Sequence, residues 1–111
     1  MRTIALASQK GGSGKTTLSG HLAVMAESQK AGPVALIDTD PQCSLTAWWD
    51  ERKSETPLLS KVDIKKLDKH IKALAKEGIK LVIIDTPPAV TETINLVLKI
   101  SDLVIIPTRP S

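Results

Sequence analysis

The stretch Lys10-Gly11-Gly12-Ser13-Gly14-Lys15-Thr16-Thr17 follows an apolar run, Ile4 to Ser8, and precedes Leu18, Leu22, Met25 and Ala26 at helical spacing. Strand, glycine-rich turn and helix, in that order, is the context in which a backbone can wrap an anion. Glycines admit conformations closed to other residues, so several N–H groups can converge on phosphate oxygens with no Cβ in the way. The helix opening near Lys15 adds the positive end of its dipole. In such a cradle, lined by Gly11, Gly12, Ser13 and Gly14, the Lys15 ammonium reaches the β- and γ-phosphates, the Thr16 hydroxyl ligates Mg²⁺ and Thr17 bonds the α-phosphate. A ligand-free glycine turn is the alternative, and the flanking strand and helix disfavour it.

Working outward, three further apolar runs stand at Val34 to Asp38, Leu81 to Asp85 and Leu103 to Pro107. None alternates apolar with polar, so all four read as strands buried on both faces of a parallel sheet. Gly32-Pro33 supplies a stop after the first helix, and a short helix is expected over Ser44 to Arg52, then a polar loop over Ser54 to Pro57. Ile64, Leu67, Ile71 and Leu74 form one stripe of a helix over Asp63 to Glu77 that Gly78 ends; a last helix covers Thr91 to Lys99, with Thr91 as its N-cap. Strands alternating with helices predict a three-layer α/β fold with a mainly parallel sheet of about four strands, in a single domain over residues 1–111.

The polar residues cluster after the strand runs, at Lys10 to Thr17, Asp38 to Gln42 and Asp85 to Pro88, and ligands of open α/β sheets bind at that carboxyl edge. Asp38 and Asp40, two residues apart at a strand end, can divide labour between a metal's surroundings and an attacking water. The bland alternative is that Asp38 caps the sheet and Asp40-Pro41 turns the chain.

The phosphate loop departs from the general G-x-x-x-x-G-K-[ST] pattern, with Gln9 where glycine is usual and a second lysine, Lys10, ahead of the double glycine. In this it resembles the ParA/MinD family of deviant P-loop ATPases, whose K-G-G-x-x-K-[ST] motif is met by Lys10, Gly11, Gly12, Lys15 and Thr16. Asp38-Thr39-Asp40-Pro41-Gln42 is similar to the ParA-type D-x-D-P-Q segment, and Leu81 to Pro88 resembles the Walker B strand. Cys43 stands where the family usually has glycine.

The resemblance implies a P-loop NTPase fold, ATP and Mg²⁺ as ligands, and catalytic roles for Lys10, Lys15 and Asp40. Lys10 would contact the partner subunit's nucleotide and Asp40 would serve hydrolysis, while Thr16, Asp38 and Asp85 would attend the metal. It also implies a homodimer on ATP binding, non-specific DNA, a ParB-like adaptor, and a role in DNA segregation or intracellular positioning. The alternatives are a MinD-like membrane-associated ATPase, which the Pro-Gln pair fits less well, a nitrogenase iron protein-like reductase, which a single cysteine does not match, and a non-hydrolysing nucleotide-binding fragment. Family members continue well past this chain, so only the N-terminal portion of the fold is expected, with an apolar edge at Leu103 to Pro107 that favours self-association.

The 111 residues are 41% hydrophobic and 24% charged with net charge +3, as in ordinary globular domains, and this excess is small enough for a nucleotide to satisfy. Cys43 is the only cysteine, no leader is recognisable, and no apolar run approaches the roughly 20 residues of a membrane span; a cytoplasmic protein is expected. Lys61, Lys65, Lys69, Lys72, Lys76 and Lys80 recur every three or four residues, so much of the Asp63 to Glu77 helix reads as one basic face, first as a solvated surface, with non-specific contact to DNA phosphates as the alternative. Trp48 and Trp49 are adjacent, so one is expected to be exposed. His21 and His70 belong to no catalytic or metal-ligand constellation.

Overall fold

Runs of aliphatic residues bounded by turn-forming residues become the strands of one sheet in the computed structural model, and the helices between them cover both faces. The structure describes residues 1–7, 15–30, 32–39, 44–52, 57–86 and 91–105; for 15–17, 44 and 91–94 it describes the backbone. The elements in order are β1 (Arg2–Leu6), α1 (Lys15–Ser28), β2 (Val34–Asp38), α2 (Ser44–Glu51), β3 (Leu58–Lys61), a 3-10 turn (Ile64–Lys66), α3 (Leu67–Lys76), β4 (Leu81–Asp85), α4 (Thr91–Ile100) and β5 (Leu103–Ile105).

The sheet has five strands in the order β3-β2-β4-β1-β5, and every pairing is parallel. The three-layer α/β expectation holds, with one strand more than the sequence reading found. Leu58-Leu59-Ser60-Lys61 escaped it because only two of its residues are apolar: all four are exposed or half-buried, so no longer run forms. The central β2 and β4 have the opposite character, with nearly every residue buried.

Alternation along the strands sorts the core into two halves. Leu6, Val34, Leu36 and Ile83 face α1 and α2, where they meet Ala23 and Leu45. Ala5, Ala35, Ile37, Val82 and Ile84 face the other way, onto Leu67, Ile71 and Leu74 of α3 and Val97 of α4. Connections running toward β3 thus place their helices on one face and those running toward β5 on the other, as a uniformly right-handed crossover requires. Asp102 fastens β5 to β1, its Oδ2 accepting the Thr3 N–H at 2.7 Å while its own N–H donates to Thr3 O at 2.8 Å.

Helix ends differ in detail from the sequence reading. Asp63 caps a 3-10 turn, accepting the Lys65 N–H at 2.9 Å, and the α-helix proper begins at Leu67. Gly78 ends it at φ 91°, letting Ile79 N–H reach back to Leu74 O at 3.2 Å. α1 stops at Ser28, ahead of Gly32-Pro33, with Lys30 in the left-handed region at φ 61°. α4 begins at Thr91, and the Thr91 side chain, read from the sequence as the N-cap, lies outside what the structure describes. β1 begins at Arg2, and Ser8, Ile106 and Pro107 lie outside the described residues, as does most of the Ser54 to Pro57 loop.

Neither tryptophan is exposed: both are half-buried and pack against the α1 and α2 face. Trp48 lies on Gly20 of α1, with the Arg52 guanidinium 5.2 Å from its ring centre, and Trp49 Nε1 donates to Pro57 O at 2.7 Å. Gly20 permits this close helix contact, since a Cβ there would stand 2.6 Å from the Trp48 ring. An alanine would add about 1 kcal/mol of helix propensity, but overpacking costs ~1–3 kcal/mol. Gly20→Ala is therefore expected to lower stability to urea, and Trp48→Leu in the same chain to reverse most of that loss.

Candidate functional site at the carboxyl edge of the sheet

Parallel pairing brings the ends of three central strands level. Leu6 is in register with Asp85, and Asp85 with Asp38. Register partners in adjacent strands point to the same face. That face carries α1 and α2, because Leu36 and Ile83, each two residues earlier, pack there. Asp38 is 2% exposed and Asp85 fully buried. Two carboxylates thus sit side by side at the sheet's carboxyl edge, on neighbouring strands.

A row of hydrogen bonds fixes this edge. Val62 N–H donates to Asp38 O at 3.1 Å, Thr39 N–H to Asp85 O at 3.0 Å, Thr86 N–H to Leu6 O at 3.2 Å and Ala7 N–H to Ile105 O at 3.0 Å. At the two central junctions a hydroxyl doubles the link: Thr39 Oγ1 donates to Asp85 O at 2.7 Å and Thr86 Oγ1 to Leu6 O at 2.8 Å. Both threonines are buried. The same Asp-Thr dipeptide closes β2 and β4, so its repetition was visible in the sequence, although its role was not.

Asp38 has a second attachment. Its Oδ2 accepts the Thr46 N–H at 3.0 Å and the Thr46 Oγ1 at 2.7 Å, so the carboxylate caps the first turn of α2. The part of the bland reading that made Asp38 a cap is thereby realised, on a helix instead of the sheet.

α1 joins β1 to the parallel β2 and must run back across the sheet, so its N-terminal end, at Lys15, lies at the same carboxyl edge. It leaves β1 on one face while α4 leaves the adjacent β4 on the other; such a divergence opens the crevice where ligands of doubly wound sheets bind. Of the residues singled out from the sequence, Asp38 and Asp85 are brought together here. The side chains of Lys15, Thr16 and Thr17, and all of Lys10, Gly11, Gly12, Ser13, Gly14, Asp40, Pro41, Gln42, Cys43, Pro87 and Pro88, lie outside the described residues.

The donor set suits a hard divalent cation such as Mg²⁺, which takes oxygen ligands, keeps much of its water and needs only one or two carboxylates beside phosphate. Among the described residues no group of three or more His, Cys, Asp or Glu side chains forms a larger cage. The lysines of the α3 segment are exposed, and Lys72 Nζ lies 3.2 Å from Asp68 Oδ2 across a helical turn. His21 is exposed and His70 half-buried. No described helix is long and apolar enough to cross a membrane.

The profile of the CobQ/CobB/MinD/ParA nucleotide-binding domain matches residues 4–102. The chain belongs to this family. Within the CobQ/CobB/MinD/ParA family it is 36% identical, over 98% of its length and 51% of the relative's, to a maintenance of carboxysome distribution protein A from Halothiobacillus neapolitanus. It spans about half the length of the curated relatives it matches. Its fold is that of a plasmid partition protein from Borrelia burgdorferi, with a TM-score of 0.77 and 24% identity over 99% of this chain and 66% of that one. A ParA, pNOB8 ParA, solved on nonspecific DNA shares the fold too, with a TM-score of 0.67 and 23% identity over 96% of this chain and 53% of that one.

Because Thr39 and Thr86 each keep a backbone link when the hydroxyl is removed, Thr86→Val is expected to cost about 1 kcal/mol in urea unfolding. Thr39→Val is expected to cost a similar amount, and either serine variant to recover most of it. An unchanged midpoint in both valine variants would show that the hydroxyls do not hold the edge.

Proposed function

We propose that residues 1–111 are the N-terminal portion of a ParA-like ATPase domain that binds Mg²⁺-ATP, dimerises on ATP and acts in DNA segregation or intracellular positioning. The observation that supports this most directly is the register of Asp38 with Asp85 on the face where α1 begins, beside the crevice that follows β1. The relatives' names, plasmid partition and carboxysome distribution, support the same reading.

In this reading Gly11 to Gly14 and the first turn of α1 hold the phosphates, with Lys15 on the β- and γ-phosphates and Thr17 on the α-phosphate. Thr16, Asp38 and Asp85 would hold Mg²⁺, which when bound neutralises charge developing on the phosphoryl oxygens. Asp40 orients the attacking water, and Lys10 reaches the nucleotide of the partner subunit. Asp38 and Asp85 would meet the metal through its water shell, and their burial limits their motion before ligand arrives.

The test is Mg²⁺-ATP turnover by the chain, with oligomeric state followed alongside. Lys15→Ala and Asp40→Ala are each expected to lower turnover at least ~100-fold, Asp40→Ala with nucleotide binding retained. ATP-dependent dimerisation should disappear in Lys10→Ala. Nucleotide binding without any turnover in the unsubstituted chain would instead support a non-hydrolysing module.

The reading extends to non-specific DNA and a ParB-like adaptor as partners, and the pNOB8 ParA structure on nonspecific DNA supports the first. The α3 lysines read as a solvated face, so reversing Lys69 and Lys76 to glutamate is expected to leave DNA affinity within about threefold. A loss that grows as salt is lowered, with a salt slope shallower by about 0.9 per lost phosphate contact, would place DNA on this helix.

A further inference from the structure

A cavity of about 480 Å³ opens where the end of β3 meets the 3-10 turn and the first turns of α3. Its walls include Val62, Asp63, Lys66, Lys69, His70 and Ala73. Lys66, Lys69, His70 and Ala73 recur three or four residues apart, so they form one ridge beside the buried ridge of Leu67, Ile71 and Leu74. Because α3 covers the face of the sheet that α1 and α2 do not, this cavity is separate from the carboxylates of Asp38 and Asp85. Lys61 also borders it, but register with Asp38 turns the Lys61 side chain toward the other face, so the charge that matters here comes from α3.

Two observations give the cavity its chemistry. Its charge is unbalanced: Asp63 is the one carboxylate among the described lining residues, and its Oδ1 already accepts the Lys65 N–H at 2.9 Å, whereas Lys66 and Lys69 are exposed cations. The ion pair on this helix, Lys72 with Asp68, involves neither of them. In addition, His70 Nε2 is buried with no hydrogen-bond partner among the described residues, a costly state for a polar atom. The imidazole torsion is broad, so a small turn of the ring offers that nitrogen, when protonated, to an anion in the cavity.

We propose that this cavity binds a phosphate ester, its phosphate held by Lys66, Lys69 and His70 and its organic body against Val62 and Ala73. The volume lies in the range of small-molecule sites. It is many times the roughly 30 Å³ share of one water, more than a bare phosphate group fills, and a ligand with an organic body would cover the apolar walls as well. The proposal goes beyond the ATPase reading and does not depend on it. It also divides the basic face: Lys69 belongs to the cavity, while Lys65, Lys72 and Lys76 remain solvated surface.

The test is amide NMR of the 111-residue chain, titrated with inorganic phosphate and with phenyl phosphate. Phenyl phosphate is expected to saturate at millimolar concentration or below, to shift the amides of Val62, Lys66, His70 and Ala73, and to bind at least about threefold tighter than inorganic phosphate. Raising salt from about 0.01 to 0.15 M should weaken both. Lys66→Gln combined with Lys69→Gln should weaken phenyl phosphate at least about fivefold and His70→Phe at least about threefold, while Lys72→Gln changes it less than about twofold. Unchanged thermal unfolding of the lysine variants would assign their loss to binding.

Lys15→Ala is expected to leave the α3 shifts in place. If those shifts vanish in Lys15→Ala, or never arise, phosphate does not bind in this cavity and the proposal is overturned. Unchanged affinity in the Lys66, Lys69 and His70 variants overturns it equally. Equal affinity for the two probes overturns the assignment to an ester, and duplex DNA that shifts these amides where neither probe does so overturns it in favour of a polynucleotide.

Discussion

The parallel register of β2, β4 and β1 is the constraint on which the rest of the molecule depends. A shift of one residue in either pairing would turn a carboxylate to the opposite face and separate Asp38 from Asp85. Two features hold the register. Nearly complete burial of β2 and β4 makes a slip costly in apolar contact, and the row of bonds at the carboxyl edge, doubled by the Thr39 and Thr86 hydroxyls, makes it costly in unsatisfied carbonyls. The outermost strands contribute least: β3 and β5 are short and partly exposed.

Helix packing on the carboxylate face is coupled to that edge. α2 would be a marginal helix alone, at eight residues. It is ordered by a buried Leu45, by Trp48 and Trp49, and by a cap supplied from a strand end. The cost of burying Asp38 is offset by the donors that α2 brings to it. Stability and candidate site therefore share one set of atoms.

Much of the fold was legible along the chain. The helical stripe Ile64, Leu67, Ile71 and Leu74 became the core-facing side of the 3-10 turn and α3, and three of the four apolar runs became inner strands. The fourth, read as buried on both faces, became the outermost β5, exposed or half-buried along its length because nothing described pairs beyond it. β3 was not legible, since only two of its four residues are apolar and its partial burial imposes no longer run. The tryptophan pair was read by the rule that adjacent helical residues diverge. That rule is sound, but it omits a glycine on a neighbouring helix that admits one ring and a loop carbonyl that accepts the other.

The sequence by itself determined what local periodicity and local chemistry can encode: a glycine-rich stretch between strand and helix, acidic residues at strand ends, and an α/β alternation with family membership to match. Only the tertiary structure decided that β4 lies between β1 and β2, that Asp85 stands level with Asp38, and that Thr46 holds the latter. The physical reason is range. Turn and helix preferences act within a few residues, whereas strand order, register and a cap borrowed from a neighbouring element arise from contacts between distant segments, which no single window of the chain contains.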